Sequence, residues 1–396
     1  MLKENINKYA IFYFSIIPFV YLFDFPDKTF AKNIFFIALS IPFMVVASGM
    51  LRRGEVRLER TLILAVAGFM VAVVLSGAVS LLMFGDLFSR RLAGIAGLLA
   101  WMVAFLGLAI ACEEKCLNKA LQSLAFSILV SAGIVYFLEK TMNFFPNRGP
   151  QLDLGLNSIS LGKLLLAGVP GALLVSGNIL RLALLFAISI LVFMTGARTI
   201  AIALLATVAV FAFPQIRGNR KVLRNVLLVL IVGGILGIMG ALFRGVPFSR
   251  LITLRTLYLR FEAWMNTLDI WWRMNPFTGV GPGMHRHYLK GAHRMEHLPY
   301  AHQDGHAHND YLAALADLGV IGFLAWGGLL TLIFVGLWRR RNENQFFRVS
   351  LAIFVGYLVA SLTEIHFMRL REMTLVIVVM VLGLSALVYR TDGKPA

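Results

Sequence analysis

The chain has 396 residues, of which 59% are apolar and only 14% charged, whereas a soluble domain carries roughly 25% charged residues. With a mean hydropathy of +0.79, this composition excludes an ordinary soluble protein. The formal net charge of +17 indicates contact with membrane lipids and not binding of nucleic acid. In a membrane protein, loop lysines and arginines fix the topology and contact anionic lipid. The apolar runs are continuous and do not alternate with polar residues, which predicts helices and not a β-barrel.

Twelve apolar segments approach the length of about 20 residues that a helix needs to cross a bilayer. The sixth and seventh are short and could form one bent hairpin. Nine of the segments lie in residues 1–243, a large loop occupies 244–310, and three segments with a tail fill 311–396. The predicted fold is therefore an all-α polytopic membrane protein with about twelve transmembrane helices: Tyr9–Phe23, Ile34–Leu51, Thr61–Phe84, Leu92–Ala111, Leu117–Leu138, Leu164–Val175, Leu182–Thr195, Thr199–Phe213, Val222–Phe243, Tyr311–Trp338, Phe346–Leu362 and Thr374–Val388.

The distribution of lysine and arginine predicts which side of the membrane each loop faces. With an even number of spans both termini share one side, where the tails and short loops hold 19 Lys and Arg against seven opposite. The positive-inside rule places that side in the cytosol. The first span shows no small-residue cleavage site after it and is read as retained. Cys112 and Cys116 fall in a cytosolic connection, where a structural disulfide is not expected.

The large outward loop begins with an amphipathic segment, Leu251–Met274. Polar side chains, Glu262 among them, recur along one helical face, and Trp264 with its apolar neighbours fills the opposite face, which predicts a helix at the membrane interface. Arg260 departs from this pattern, since it projects from the apolar face. It either extends its head group to water or points into a partly buried, anion-filled cavity, where its planar donors suit phosphate.

Two motifs follow in the same loop. Seven of the eight histidines also lie there, in the 24-residue stretch 285–308. The Pro- and Gly-rich run 275–284 predicts a tight turn, with Gly279 and Gly281 more typical of architecture than of a phosphate cradle. Asn309 or Asp310 can cap the tenth span, which places His308 at the positive end of that helix. This field favours a neutral imidazole, the form that a general base requires; a structural histidine is the alternative.

Two further interpretations concern ions. The spacing of His302, His306 and His308, with two more histidines upstream, resembles a metal site, but the loop lacks Cys ligands and a helical His-Glu-x-x-His motif, so no metal is assigned. Arg198 begins the eighth span on the same predicted face as His308. Two helix N-termini with an arginine suit a diphosphate; an interfacial anchor is the alternative.

These residues resemble the superfamily of O-antigen ligases and polymerases, which includes pilin oligosaccharyltransferases. The resemblance lies in His308-Asn309, followed after nine residues by Gly319-x-x-Gly322, in Arg198 at the start of a span, and in Arg260-x-x-x-Trp264 leading into the run 275–283. One departure is Ile202, which stands where the family often has Leu. The motifs cover about a third of the chain, and the twelve-span layout agrees over nearly all of it.

The resemblance implies a GT-C-like membrane glycosyltransferase of the bacterial inner membrane, with a periplasmic catalytic loop at 244–310. It implies transfer of O-antigen from undecaprenyl diphosphate to lipid A-core, with inversion and without metal or cofactor. His308 is then the catalytic base, and Arg198 and Arg260 bind the donor diphosphate. His306, Asn309 and Arg255 are possible assisting residues.

Three rival functions stay open at this point. A polymerase of the same superfamily would join O-antigen units to one another, although the basic loop slightly favours the phosphate-rich lipid A-core as acceptor. A lipid-linked sugar transporter would place ionisable residues at mid-span, and the mid-span positions here are nearly free of them. A structural membrane subunit would not depend on His308.

Overall fold

The structure is a computed structural model that describes residues 2–22, 29–84, 88–142, 158–216, 255–291, 306–364 and 373–390, with position 367 and scattered helical positions between 228 and 242. Two short strands accompany the helices. In chain order the elements are α1 Leu2–Leu22, α2 Thr29–Arg52, β1 Val56–Leu58, α3 Arg60–Phe84, α4 Phe88–Ala111, α5 Glu114–Met142, α6 Ser158–Leu174, α7 Asn178–Met194, α8 Arg198–Ile216, α9 Arg255–Met274, α10 His285–Gly291, α11 Asp310–Arg340, α12 Gln345–Ser361, α13 Thr374–Ser385 and β2 Val388–Arg390.

The helices form a bundle whose inside and outside are both apolar, as expected for a protein surrounded by lipid. Among the described residues, five helices are long and apolar enough to cross a membrane, within α2, α3, α4, α5 and α11, and five shorter apolar helices accompany them. The shorter α13 is buried along its whole length, so it forms the centre of the bundle. The predicted all-α, multi-pass class is confirmed.

Eleven of the twelve predicted spans fall on observed helices. The sixth and seventh are separate helices, α6 and α7, joined by the short connection 175–177 and packed against each other. The predicted ninth span, Val222–Phe243, lies outside the described residues except for scattered helical positions. The number of spans therefore stays a prediction, as does the extent of the loop 244–310.

The bundle has two polar ends. We call the end where α8 and α11 begin and α12 finishes the site face. At the opposite end, which we call the arginine face, β1 pairs antiparallel with β2, with Val56 opposite Arg390. The Asn7 carbonyl accepts a hydrogen bond from Cys116 near the start of α5, and both cysteines are buried thiols. The two ends of the described chain thus lie at one face, the arrangement that an even number of spans predicts.

Candidate active site

The amphipathic segment of the large loop folds as α9, and its first four predicted residues, 251–254, lie outside the described part. Phe261, Met265 and Trp272 are exposed on one side of this helix, at the spacing of a helical stripe. Glu262, predicted on the polar stripe, is buried. This exposed apolar stripe, and not the predicted face around the half-buried Trp264, is the side that suits a membrane interface.

The turn after α9 is fixed to α11 by backbone hydrogen bonds. Gly319 has φ 65° and ψ −173°, which interrupts α11 and releases backbone groups on both sides of it. The freed carbonyls of Ala316 and Asp317 accept from the amides of the turn, and the freed amides of 320 and 321 donate back to it. A Cβ at Gly319 would collide with the carbonyl of Phe277. We call this contact between the turn 275–284 and α11 the Gly319 junction.

Buried polar side chains complete the Gly319 junction. Nδ1 of His285 lies 2.8 Å from Asp317, which also accepts the His285 amide at 2.7 Å and the Gly283 amide at 3.0 Å. Arg91 is fully buried and donates to the Val280 carbonyl at 2.6 Å and to the Tyr288 hydroxyl at 2.8 Å. The amides predicted as a possible phosphate cradle are therefore bonded to protein, which supports the architectural interpretation of the glycines.

His308 lies immediately before α11, in a constrained backbone conformation. Asn309 is the N-cap of the helix and accepts hydrogen bonds from the amides of Tyr311 and Leu312, as the sequence indicated for that position. His308 has φ 46°, the one positive value among the described residues other than glycine. The Trp264 indole donates to its carbonyl at 3.4 Å. Such strained conformations cluster at functional sites.

One carboxylate brings together two of the residues singled out in the sequence. Glu364, just after α12, is 5% exposed; its Oε1 accepts from Arg260 Nη2 at 2.6 Å, and its Oε2 lies 3.7 Å from Nδ1 of His308. Arg260 Nη1 also donates to the Thr199 hydroxyl at 3.2 Å, and Thr363 donates to the same hydroxyl at 2.7 Å. We call Arg260, His308 and Glu364, with Lys163 and the two threonines, the Glu364 site.

The electrostatics of the Glu364 site favour a charged carboxylate. Burial on its own would raise the pKa of Glu364, but neighbouring His308, Lys163 and Arg260 stabilise the carboxylate and leave its pKa below the ordinary value. Lys163 is itself 2% exposed. Removal of a cation from beside this buried anion would leave an uncompensated buried charge, which is strongly destabilising.

The other four predicted site residues are placed by the helices around the Glu364 site. Arg198 is the first residue of α8, adjacent to Thr199, and its side chain is exposed. The ring of His306 lies 6.1 Å from that of His308, edge to face. Asn309 donates to the Leu362 carbonyl at 2.9 Å in addition to capping α11. Arg255 begins α9, and its side chain lies outside the described part.

The metal alternative is not tested, because His293, His297 and His302 fall outside the described residues. Among the residues that the structure does describe, no group of three His, Cys, Asp or Glu side chains could hold a metal ion.

Sequence reasoning overlooked Glu364, Lys163 and Thr199. The available signal was topological, since the predicted spans place Glu364 in a short loop and Lys163 at a span end on the same face as His308. No local motif surrounds either residue.

Residues 183–327 match the family model described as O-antigen ligase. The matched segment covers 145 of the 396 residues and is similar to that family. It contains Arg198, Arg260 and His308 together with the Gly319 junction residues of α11, whereas Lys163 and Glu364 lie outside it. None of the curated proteins matches the chain. The resemblance predicted from the motifs is thereby confirmed, and the family indicates a membrane enzyme of the glycosyltransferase kind.

Proposed function

We propose that the chain is an O-antigen ligase, which transfers O-antigen polysaccharide from undecaprenyl diphosphate to the lipid A-core oligosaccharide. Its site face would be periplasmic and its arginine face cytosolic, in the bacterial inner membrane. The family match supports the broader class. One observation carries the assignment of residues: the two oxygens of Glu364 face Arg260 and His308, so a base and a cation stand on either side of one buried carboxylate.

In the proposed reaction His308 removes a proton from the acceptor hydroxyl. The hydroxyl oxygen attacks the anomeric carbon, and the bond from that carbon to the diphosphate breaks, with the electron pair leaving on the diphosphate. Nδ1 of His308 faces Glu364, which favours the tautomer with the proton on Nδ1 and leaves Nε2 as the acceptor. Attack opposite the leaving group inverts the anomeric configuration, and no second carboxylate nucleophile is required.

Arg260 would stabilise the charge that develops on the departing diphosphate. A guanidinium has five N–H donors, and the bonds to Glu364 and Thr199 engage two of them. Arg198 stands at the N-terminus of α8 and His308 at that of α11, so two positive helix ends point to the same face. This combination of donors and helix ends suits a diphosphate.

The basic loop supports a ligase over a polymerase, because lipid A-core carries phosphates that a cationic face attracts. The decisive test uses purified protein with both lipid substrates. Transfer of O-antigen to lipid A-core identifies a ligase, whereas extension of the donor chain without lipid A-core identifies a polymerase. Uptake of a fluorescent lipid-linked sugar into proteoliposomes without transfer would identify a transporter.

Variants in the same assay test the roles of the residues. We expect His308→Ala to lower the turnover rate about 10²–10⁴-fold, the usual contribution of a general base, and Arg260→Ala to lower it by a similar factor. His287→Ala and Arg273→Ala are matched controls, because both side chains are exposed and should retain full turnover. EDTA should not change the rate.

Two outcomes would contradict the proposal. Full turnover in His308→Ala would show that this residue is not the base. Loss of activity with EDTA, restored by a divalent metal, would favour the histidine-rich metal alternative.

A further inference from the structure

A groove between α3 and α11 opens on the lipid-facing surface, away from the Glu364 site. It has a volume of about 360 Å³, within the range of roughly 300–1,000 Å³ typical of small-molecule sites. Its lining is almost entirely apolar: Thr61, Leu64, Ala65, Gly68, Leu324, Ala325, Gly328 and Leu332. A Cβ placed at Gly68 or Gly328 would have no atom within 4 Å, so the two glycines leave the floor of the groove open.

The groove is closed toward the site face. Phe69 and Val73, the next residues of α3 on the inner side, are fully buried. Beyond them Ser76 donates to the Asp317 carbonyl at 2.8 Å and ties α3 to α11. A lipid chain in the groove therefore does not continue along these two helices to His308, which argues against the polyprenyl tail of the proposed donor as the occupant.

At its other end the groove leads to the arginine face. Arg60 lies four residues before Leu64 on α3, and Arg339 lies seven residues after Leu332 on α11. Four and seven residues are one and two helical turns, so each arginine stands on the same helix face as the lining residues. Both arginine side chains are exposed. Beyond this end of the groove, each of its two helices therefore carries one exposed arginine.

We propose that this groove binds an anionic phospholipid, with an acyl chain between α3 and α11 and its phosphate near Arg60 and Arg339. The charge of the two arginines complements the phosphate, and a guanidinium matches phosphate oxygens in a bidentate geometry. The Thr61 hydroxyl at the mouth of the groove can donate to the same head group. The acyl chain itself fills the apolar lining through van der Waals packing, which is the main attraction between apolar groups inside a bilayer.

Native mass spectrometry of the full-length protein in detergent tests the proposal. The probes are phosphatidylglycerol and phosphatidylcholine with identical acyl chains. We expect phosphatidylglycerol to bind more tightly, by about fivefold for each arginine. Arg60→Gln combined with Arg339→Gln should reduce its affinity to that of phosphatidylcholine, whereas Arg90→Gln, exposed at the opposite face, should leave it unchanged.

A second pair of variants tests the groove itself. Gly68→Leu with Gly328→Leu fills the floor and should lower the affinity for both lipids at least tenfold. Gly133→Leu is the matched control, because Gly133 is exposed on α5 and also has open space at its Cβ position. If the leucine variants fail to fold, the arginine pair still decides the question.

Three results would overturn the proposal. They are equal affinity for the two lipids, an arginine pair without effect on phosphatidylglycerol, and displacement of phosphatidylglycerol by a polyprenyl phosphate at equal concentration. None of them bears on transfer of O-antigen, which is measured at the other face of the membrane.

Discussion

The Glu364 site and the Gly319 junction adjoin the same helix, α11, yet they use polar groups in opposite ways. At the Gly319 junction the amides and carbonyls of the turn bond to α11 and Arg91 is fully buried. At the Glu364 site His308 and Arg260 remain about one quarter exposed, at 24% and 22%. One motif, from His308 to Gly322, therefore contains a reactive part and a structural part. Burial and hydrogen-bond satisfaction separate them where sequence spacing does not.

The strongest test of this contrast is Gly319→Ala. A side chain in this backbone conformation is strained by about 1–3 kcal/mol, and its Cβ would also collide with the Phe277 carbonyl. We expect the free energy of unfolding to fall by about 2–5 kcal/mol, measured as a lower thermal midpoint in detergent. Gly327→Ala on the same helix has open space around it and should be neutral or slightly stabilising. Equal midpoints in both variants would contradict a structural role for the Gly319 junction.

Glu364→Gln tests the opposite side of the contrast. The neutral amide keeps the shape but no longer stabilises the tautomer of His308 or the position of Arg260. We expect the turnover rate to fall about 10–100-fold, somewhat less than for removal of a general base itself. In a His308→Ala background the same change should have little further effect, because residues that act as a unit are not additive.

Glu343→Gln is the matched control for that cycle. Glu343 pairs with Arg340 at the arginine face, at 2.9 Å, and should leave turnover unchanged. If Glu364→Gln and His308→Ala lowered the turnover rate strictly additively, the carboxylate and the histidine would act independently. That result would contradict the proposed site.

Arg91→Gln sharpens the description of the Gly319 junction. The substitution removes donors from the Val280 carbonyl and the Tyr288 hydroxyl in a buried setting, which should cost about 1–3 kcal/mol of unfolding free energy. Arg90→Gln next to it is exposed and should cost almost nothing. Protein that remains folded should keep its turnover rate. If Arg91→Gln kept a normal thermal midpoint but lost turnover, Arg91 would instead have a role in the reaction.

Local sequence patterns predicted much of this molecule. The continuous apolar runs predicted the helices, because a span of about 20 residues has one stable form in lipid. The Asn309 cap and α9 were also visible, since capping and amphipathic periodicity depend on neighbours a few residues apart. The interruption of α11 at Gly319 was not predicted, because it requires the turn 275–284 to supply the missing hydrogen bonds.

Local sequence motifs predicted only some of the residues of the candidate site. Arg198, Arg260 and His308 belong to motifs inside the matched segment, whereas Lys163 and Glu364 lie outside it. Glu364 meets Arg260 across 104 residues of sequence. The predicted topology could place Glu364 and Arg260 on one face of the membrane. Which side chains meet there depends on the packing of α6, α8 and α12.

The smallest predicted effect concerns the pH dependence of stability. Burial would raise the pKa of Glu364, but His308, Lys163 and Arg260 hold it below its ordinary value of 4.5. A carboxyl with a lowered pKa stabilises the folded state above the unfolded pKa, and this contribution is lost as the pH falls through the folded pKa. The thermal midpoints of the parent and Glu364→Gln should therefore differ most near neutral pH, and the difference should shrink only as the pH falls below the ordinary value of 4.5. Asp269→Asn, which removes the partially exposed partner of Arg273, should change the midpoint little at any pH. If the difference in thermal midpoint between the parent and Glu364→Gln did not change on acidification, the surrounding cations would not be what stabilises the charged carboxylate. The proposed electrostatic difference between the Glu364 site and the Gly319 junction would then be wrong.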